Sequence, residues 1–293
     1  EYAYGFLLGQ RAIKQQLVQA VENLAAAGIA KDACEAYLAD GMDAEKSREV
    51  SDNLLAALAN ESSEDAKYII QNKEYLTKKS VWAFGGDGWA YDIGYGGLDH
   101  VLASDDDINV LVLDTEVYSN TGGQASKSTA AAAIAKFAAG GKRVKKKDLG
   151  MMAMSYGYVY VAQVAMGADP NQTLKAIREA EAYNGPSIVI CYSPCIEHGM
   201  KCGMSLSQAE EKKAVEAGYW QLYRYNPDLK EQGKNPFTLD SKAPTGDFQA
   251  FLKGQNRYAS LALSFPERAD ALYAKAEADA KARYEGYVQL AEE

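Results

Sequence analysis

Cysteine and histidine are scarce in this chain, which contains four cysteines and two histidines among 293 residues. So few cysteines exclude a disulfide-stabilised scaffold and indicate a reducing compartment, so a cytoplasmic location is expected. Long apolar runs are also absent. The longest such stretch, residues 151–167, is interrupted by Ser155, Gly157 and Gln163, and it is too short and too polar to span a bilayer. We therefore expect no association with a membrane.

The chain has no excess of positive charge. Lysine and arginine number 31 against 40 aspartates and glutamates, which gives a net charge of −9 and a pI of about 5.0. This balance argues against general binding to nucleic acid. The hydrophobic fraction of 47% and the charged fraction of 24% are typical of a folded globular protein and exclude a disordered chain. The length suffices for one large or two ordinary domains.

The first part of the chain, residues 1–79, predicts helices. Apolar residues recur there at helical spacing, and glycine and aspartate separate three predicted helices, of which the second is 31–38 and the third is 44–58. We expect this segment to lead into the domain that follows it. The chain begins at Glu1 without a methionine or a signal-like leader, so we also expect it to be part of a longer polypeptide.

The middle of the chain has a different pattern. Unbroken apolar runs, typical of strands buried on both faces of a parallel sheet, are separated by segments of helix length. We therefore predict an α/β fold for residues 80–204, with a mostly parallel sheet and helices on both faces. The predicted strands are 80–84, 109–113, 158–162 and 187–192, and the predicted helices are 94–103, 128–139 and 171–183.

After residue 205 the chain returns to helix and loop. Prolines at 227, 236 and 244 indicate an extended connector, and the charged segment 266–291 predicts a final helix. We interpret residues 205–293 as an extended and helical C-terminal tail that can wrap the same sheet.

Polar and glycine-rich segments follow three of the predicted strands. They are Gly85-Gly86-Asp87-Gly88-Trp89, residues 114–123 and residues 193–199. In open parallel sheets, ligands bind at the carboxyl ends of the strands, where these segments lie. The glycines beside Asp87 leave backbone N–H groups free for a phosphate, and its carboxylate suits a Mg²⁺ ion that is also held by phosphates. Taken alone, a short Gly-Asp-Gly is more often an ordinary strand-to-helix turn.

The second segment offers further oxygen ligands. Thr115 has a hydroxyl, Asn120 has an amide, and several backbone carbonyls lie between them. One carboxylate, one hydroxyl and one carbonyl from adjacent strand ends would supply half of the octahedron that Mg²⁺ requires. The alternative is a polar loop with a turn at Asn120, and the presence of Asp87 after the preceding strand makes this the weaker interpretation.

Two longer sequences carry a resemblance to a known family. Gly85-Gly-Asp-Gly-Trp-Ala-Tyr-Asp-Ile-Gly-Tyr-Gly-Gly-Leu-Asp-His100 and Leu113-Asp-Thr-Glu-Val-Tyr-Ser-Asn-Thr-Gly-Gly-Gln124 resemble the C-terminal thiamine-binding part of the pyruvate:ferredoxin (flavodoxin) oxidoreductases. The resemblance continues through Tyr192-Ser-Pro-Cys195 and residues 218–227, and it covers most of the chain from about residue 80. It implies the thiamine-diphosphate-binding fold.

By this resemblance, Asp87, Thr115 and the carbonyl of Val117 would bind Mg²⁺. Asn120 would be the catalytic residue, beside the thiazolium ring and the 2-oxo acid. The cofactor would be thiamine diphosphate, with Mg²⁺ bound to its diphosphate. Further cofactor contacts would come from the same two loops, at Gly86, Gly88, Trp89, Glu116, Tyr118 and Ser119.

By the same resemblance, the third loop would help to bind the group that accepts electrons from the cofactor. Cys195 matches the family position that ligates a [4Fe–4S] cluster, whereas the alternative for one cysteine at a strand end is a small buried apolar residue. The resemblance places the other cluster ligands outside this chain, so Cys34, Cys191 and Cys202 are expected to be non-ligands. His198 is expected to be an ordinary polar residue of the loop.

The activity implied by the resemblance is the oxidative decarboxylation of pyruvate with coenzyme A to acetyl-CoA and CO₂, in anaerobic metabolism. Ferredoxin or flavodoxin would be the electron carrier, and the enzyme would be a homodimer in which this chain needs the remaining domains for activity. The alternatives are the same chemistry on another 2-oxo acid, a non-redox thiamine-dependent decarboxylase or transferase, and a module that has lost catalysis. Cys195 favours the redox enzyme, and the presence of Asp87, Thr115 and Asn120 together argues against the loss of catalysis.

Two charged runs have less specific interpretations. The basic run at residues 142–147 predicts a solvated turn, with contact to coenzyme A phosphates or to an acidic carrier protein as the alternative. The acidic run before the second strand offers Asp107 and Asn109 as Ca²⁺ ligands, but a helix-to-strand turn is the simpler interpretation.

Overall fold

The computed structural model describes residues 2–292, in two compact units that meet in sequence between Val81 and Trp82. Within residues 2–81, the first unit contains four α-helices, one more than the three predicted, and the helical character of this segment is confirmed. Buried apolar side chains from all four form its core, among them Leu17, Leu54 and Ile69. The helices are α1 (Tyr2–Ala26), α2 (Lys31–Asp40), α3 (Ser47–Ala57) and α4 (Glu64–Gln71).

The second unit is built on a mostly parallel sheet. Its strands are β1 (Trp82–Gly86), β2 (Asn109–Asp114), the short hairpin strands β3 (Val117–Tyr118) and β4 (Gln124–Ala125), β5 (Tyr160–Val164), β6 (Ser187–Tyr192), β7 (Tyr223–Tyr225) and β8 (Phe237–Leu239). Within residues 82–292, six of them form one sheet in the order β1-β2-β6-β5-β7-β8. The first four are parallel, as the apolar runs predict, and β7 and β8 are antiparallel additions at one edge.

Helices cover both faces of this sheet. They are α5 (Tyr95–Leu102), α6 (Leu149–Met154), α7 (Pro170–Ala182), α8 (Ser207–Glu216), α9 (Asp228–Glu231), α10 (Phe248–Lys253), α11 (Asn256–Ser264) and α12 (Pro266–Glu292). Alternate residues of β5 belong to different clusters, because successive side chains of a strand point to opposite faces. Ala162 packs with residues of α7, whereas Val161 packs in the larger cluster with α5, α6 and the C-terminal helices. The predicted two-faced α/β fold is confirmed.

The C-terminal tail contributes to this larger cluster. Leu252 of α10 and Leu261 of α11 are fully buried in it, and Tyr273 of α12 is nearly so. The sequence does not predict β7 and β8, because each has only three residues and both lie in or beside the proline-containing connector. Among residues 2–292, no helix has the length and apolarity needed to cross a membrane.

One predicted helix, at residues 128–139, is wrong. The segment is irregular, and Ala132 and Phe137 have φ angles of +71° and +67°, which an α-helix does not allow. Backbone groups there bond to distant segments: the N–H of Ala132 donates to the carbonyl of Lys142, and that of Ile134 donates to the carbonyl of Arg257. The alanine run has high helix propensity, but these tertiary contacts outweigh that weak preference.

Candidate metal and cofactor site

The three polar segments found in the sequence lie at one end of the sheet. They begin at the last residues of β1 and β2 and directly after β6, and since these strands are adjacent and parallel, their carboxyl ends meet at the same edge. Gly86 is paired with Leu113, and Asp114 is paired with Tyr192. This register brings Asp87, Thr115 and the loop with Cys195 into one region.

Asp87 directly follows β1 and is 1% exposed. Its Oδ1 accepts a hydrogen bond from the Thr115 hydroxyl at 2.8 Å, and its Oδ2 accepts one from the Ser126 hydroxyl at 2.5 Å. The Thr115 hydroxyl also lies 2.9 Å from the carbonyl oxygen of Val117, although its single proton can serve only one acceptor at a time. A carboxylate, a hydroxyl and a carbonyl are thus gathered around Thr115 Oγ1, and hard oxygens of this kind suit Mg²⁺.

The carboxylate of Asp87 has no direct cationic partner among the residues that the structure describes. Its two hydrogen-bond partners within residues 2–292 are neutral hydroxyls. Burial raises the pKa of Asp87 to about 6, and the nearby charge of Asp114 adds to this, while the hydroxyls and Lys146 act in the opposite direction. A buried carboxylate in this state is stabilised by a bound cation, so the residues present fit a divalent metal ion.

The glycines around Asp87 bring aromatic rings against the backbone. A Cβ on Gly85 or Gly94 would lie 2.1 Å from the Trp89 ring, and a Cβ on Gly88 would lie 2.4 Å from the Tyr118 ring. The Tyr118 hydroxyl donates to the carbonyl of Gly88 at 3.2 Å. Residues Gly88–Ile93 form a π-helical turn, so the backbone after Asp87 is fixed between these rings. Gly86, in contrast, is exposed and open to a ligand.

Behind the loop of Thr115 lies a buried charge cluster formed by Asp114, Glu116, Lys146 and Arg257. Both carboxylates are fully buried. Lys146 Nζ is 2.7 Å from Asp114 Oδ2 and 3.0 Å from Glu116 Oε1. Arg257 Nη2 is 2.8 Å from Glu116 Oε2, which also accepts a hydrogen bond from Tyr219 at 2.6 Å. Burial alone would raise the pKa of Glu116, but the charges of Lys146 and Arg257 hold it below its ordinary value.

The expected solvated turn at residues 142–147 is wrong for three of its lysines. The Lys146 side chain is 10% exposed and belongs to the buried charge cluster. Lys142 donates to the carbonyl of Ser126 at 2.6 Å, and Lys147 Nζ lies 3.2 Å from the Tyr95 ring centroid. Only tertiary structure distinguishes Lys146 from the exposed Lys145, because its acidic partners are some thirty residues earlier in the chain.

Asn120 lies at the tip of the β3–β4 hairpin and is exposed. The neighbouring Ser119 is half-buried, and its carbonyl accepts the N–H of Gly122 as the chain turns. Positive φ angles of +103° at Gly122 and +82° at Gly123 make this turn possible, since glycine adopts them without a steric penalty. The structure places no hydrogen-bond partner for the Asn120 amide among residues 2–292, which leaves the amide available to a ligand.

Cys195 lies in the loop after β6 and is 8% exposed. It packs in a small cluster with Val117 and Ala135, so it adjoins the loop of Thr115 and Val117. Of the three other cysteines, Cys34 is in the core of the first unit, Cys191 is on β6, where burial raises its pKa to about 12, and Cys202 contacts Glu210. No group of three or more histidine, cysteine, aspartate or glutamate side chains is arranged to hold a metal ion within residues 2–292.

His198 is not the ordinary polar loop residue that we expected. It is fully buried, and its Nε2 lies 2.8 Å from the carbonyl oxygen of Thr115. Burial, reinforced by the charge of Arg257, lowers the pKa of His198 to about 3, so the ring is neutral. The side chain therefore supports the loop of Thr115. Asn109, which the sequence offered as a calcium ligand only as an alternative to a turn, is also engaged, because its Oδ1 accepts a hydrogen bond from Ser187.

Comparison with known proteins identifies the family. Residues 66–191 match the family described as "Thiamine pyrophosphate enzyme, C-terminal TPP binding domain". The chain is 58% identical to the pyruvate:ferredoxin oxidoreductase of Moorella thermoacetica and 56% identical to the pyruvate-flavodoxin oxidoreductase of Klebsiella pneumoniae, in each case over 100% of this chain. The chain belongs to the pyruvate:ferredoxin (flavodoxin) oxidoreductase family. A further pyruvate-flavodoxin oxidoreductase, from Enterobacter agglomerans, is 57% identical over 99% of this chain.

The chain spans about a quarter of the length of these oxidoreductases, covering 26%, 25% and 26% of the three. The region that matches the C-terminal TPP-binding domain of thiamine pyrophosphate enzymes, residues 66–191, includes Asp87, Thr115 and Lys146. Cys195 and Arg257 lie after it. The resemblance seen in the loops after β1 and β2 is therefore confirmed at the level of the family.

The buried charge cluster yields a prediction about stability. Lys146→Met should lower the free energy of unfolding by about 3–5 kcal/mol, because it leaves two buried carboxylates without their shared cation. Lys145→Met, which changes an exposed neighbour, should alter it by less than about 0.5 kcal/mol. Urea unfolding followed by tryptophan fluorescence measures both, since Trp82, Trp89 and Trp220 all lie in the second unit. If both variants changed the free energy of unfolding equally, Lys146 would not be a stabilising member of the buried charge cluster.

Proposed function

We propose that this chain supplies the diphosphate- and Mg²⁺-binding half of the thiamine site in a 2-oxo acid oxidoreductase. The reaction is the oxidative decarboxylation of pyruvate with coenzyme A to acetyl-CoA and CO₂. The electrons pass through iron–sulfur clusters to ferredoxin or flavodoxin. The proposal rests on one observation: the oxygens of Asp87, Thr115 and the Val117 carbonyl lie together at the carboxyl end of the parallel strands.

In this proposal, each residue of the site has a distinct task. Asp87, Thr115 and Val117 hold Mg²⁺ through their oxygens, and the open backbone at Gly86 accepts the diphosphate. Gly88, Trp89, Tyr118 and Ser119 shape the wall around it, since the two glycine-packed rings fix the backbone there. When bound, thiamine diphosphate supplies the electron-accepting carbon chemistry that decarboxylation requires.

Asn120 has a different task, because its exposed amide is at the hairpin tip. We assign it to the orientation of the 2-oxo acid beside the cofactor, as a catalytic residue. The Glu116 side chain is fully occupied by Lys146, Arg257 and Tyr219. Its part in cofactor binding is therefore confined to holding the loop in place.

Cys195 is assigned to one [4Fe–4S] cluster, whose other ligands come from parts of the enzyme outside this chain. Its packing against Val117 supports this assignment, because Val117 belongs to the loop of the proposed cofactor site. The proposed partners are pyruvate, coenzyme A, ferredoxin or flavodoxin, the remaining domains and a second copy of the enzyme in a homodimer. We place the enzyme in the cytoplasm, with residues 80–204 as the cofactor-binding core, 1–79 as its lead-in and 205–293 as its extension.

The metal assignment is tested at Asp87. In the complete enzyme, Asp87→Ala should abolish Mg²⁺-dependent binding of thiamine diphosphate, because no other carboxylate replaces the lost ligand. Asp105→Ala, at an exposed position outside the site, serves as the control and should bind normally. Titration calorimetry with Mg²⁺ present measures both, and circular dichroism reports whether the fold is intact. A folded Asp87→Ala enzyme with unchanged cofactor affinity would rule out the metal site.

The role of Asn120 is tested by comparing chemistry with binding. Asn120→Ala should slow decarboxylation by about 10²-fold, the usual effect of removing one positioned polar group, with a smaller loss of cofactor affinity. Thr121→Ala changes the neighbouring side chain of the same hairpin tip and should retain the rate. Single-turnover release of CO₂ under saturating pyruvate is the measurement. Unchanged turnover in Asn120→Ala would remove this residue from catalysis.

The electron exit is tested at Cys195. Cys195→Ser in the complete enzyme should disturb one cluster selectively, so carrier reduction and acetyl-CoA formation should collapse, while pyruvate still binds. Cys202→Ser, at a half-buried cysteine that contacts Glu210, should leave all clusters intact. Iron content and low-temperature electron paramagnetic resonance distinguish the two. A Cys195→Ser enzyme with every cluster signal and full carrier reduction would show that Cys195 only packs in the fold.

A further inference from the structure

Glu116 is the residue between two of the assigned metal ligands, Thr115 and Val117. Its φ angle is +58°, in the left-handed region that a residue other than glycine rarely adopts. Such a conformation persists only where the surroundings hold it in place. The turn at Glu116 also sets the relative position of the Thr115 hydroxyl and the Val117 carbonyl, so whatever holds Glu116 also holds the metal ligands.

Every polar group of Glu116 has a partner. The N–H donates to Asp114 Oδ1 at 3.0 Å, and the carbonyl oxygen accepts a hydrogen bond from Thr129. Oε1 is paired with Lys146, while Oε2 lies 2.8 Å from Arg257 Nη2. The residue is 0% exposed, so water does not compete with these bonds.

Arg257 is the most distant of these partners in sequence. It lies in α11, outside the matched family region, and is 4% exposed. Its Nε donates to Gln255 Oε1 at 2.8 Å, which fixes the plane of the guanidinium, and its Nη2 then reaches both Glu116 and the Tyr219 hydroxyl. The C-terminal tail is thereby tied directly to the turn between two metal ligands.

We propose that Arg257 is a positioning residue for the Mg²⁺ site, acting through Glu116. The proposal rests on the proposed function, because it needs Thr115 and Val117 to be the metal ligands. Arg257 fixes the Glu116 side chain, Glu116 fixes the left-handed turn, and the turn sets the spacing of the two oxygens. The tail beyond the family region is thus part of the cofactor site without touching the cofactor.

Metal selectivity distinguishes positioning from a purely structural role. Mg²⁺ demands near-ideal octahedral geometry at short distances, whereas Ca²⁺ accepts longer and more variable ones. A loosened turn should therefore weaken the binding of Mg²⁺ more than the binding of Ca²⁺, so the ratio of the Mg²⁺ affinity to the Ca²⁺ affinity should fall. General destabilisation of the fold would not change this ratio, because it would reduce the folded fraction equally for both ions.

The test uses Arg257→Lys in the complete enzyme. The substitution keeps the charge but loses the planar fork that joins Gln255, Glu116 and Tyr219. Arg224→Lys is the matched control, since the guanidinium of Arg224 is also held by several partners at once, in this case the carboxylates of Glu179 and Asp240, and it lies on β7, away from the site. Metal titrations at saturating thiamine diphosphate measure the affinities for Mg²⁺ and Ca²⁺, and thermal unfolding measures stability.

We expect Arg257→Lys to lower the affinity for Mg²⁺ by about tenfold or more, because this is the usual effect of losing a group that orients a metal ligand. The ratio of the Mg²⁺ affinity to the Ca²⁺ affinity should fall as well. Arg224→Lys should lower the melting temperature but leave both affinities within about twofold of the wild type. An Arg257→Lys enzyme with a lower melting temperature and unchanged metal affinities would overturn the proposal.

A gentler variant covers the case in which Arg257→Lys does not fold. Tyr219→Phe removes the hydroxyl that joins Glu116 to Arg257, while Tyr160→Phe removes a comparable hydroxyl–carboxylate bond to Glu179 elsewhere. Only Tyr219→Phe should lower the Mg²⁺ to Ca²⁺ ratio, and equal ratios in both variants would overturn the proposal. Wild-type enzyme that binds no thiamine diphosphate with Mg²⁺ would instead defeat the proposed function itself.

Discussion

Two carboxylates removed completely from water, Asp114 and Glu116, set the main constraint on the second unit. A buried charge without a partner costs several kcal/mol, so the fold must bring cations to this point. Lys146 bridges the two carboxylates, and Arg257 completes the pairing of Glu116. These cations come from segments far along the chain, so the sheet edge is electrostatically complete only when the C-terminal helices have packed against it.

This constraint explains the irregular segment between β4 and α6. Its hydroxyls are used at the site: Ser126 donates to Asp87, Ser128 donates to Asp114, and Thr129 donates to the Glu116 carbonyl. A regular helix would direct these side chains around a cylinder, whereas the observed path directs all three towards one edge of the sheet. The loss of helical hydrogen bonds is offset by bonds to buried charged and carbonyl groups, which are stronger than bonds to water-exposed ones.

The sequence predicts the parts of this structure that depend on local pattern. The four parallel strands follow from unbroken apolar runs, and the site loops follow from their place after β1, β2 and β6. The helix expected at 128–139 is wrong because alanine content reports propensity, while hydroxyl contacts with Asp114 and Glu116 decide the path. Lys146, His198 and Arg257 could not be assigned from sequence, since their burial depends on partners distant in the chain. The segments that contain His198 and Lys146 even have the amino-acid composition of solvated loops.

Asp87 and Asp114 differ in their charged partners, and this difference bears on which of them can bind a cation. Both are buried acids at the ends of adjacent strands, yet Lys146 lies 2.7 Å from Asp114, whereas Asp87 accepts hydrogen bonds from two hydroxyls. Burial and the charge of Asp114 raise the pKa of Asp87 to about 6. Because Lys146 is already shared by Asp114 and Glu116, it cannot also neutralise Asp87 by direct contact. The ion pairs of Asp114 and Glu116 therefore leave Asp87 as the buried carboxylate that a divalent cation would stabilise more than the other two.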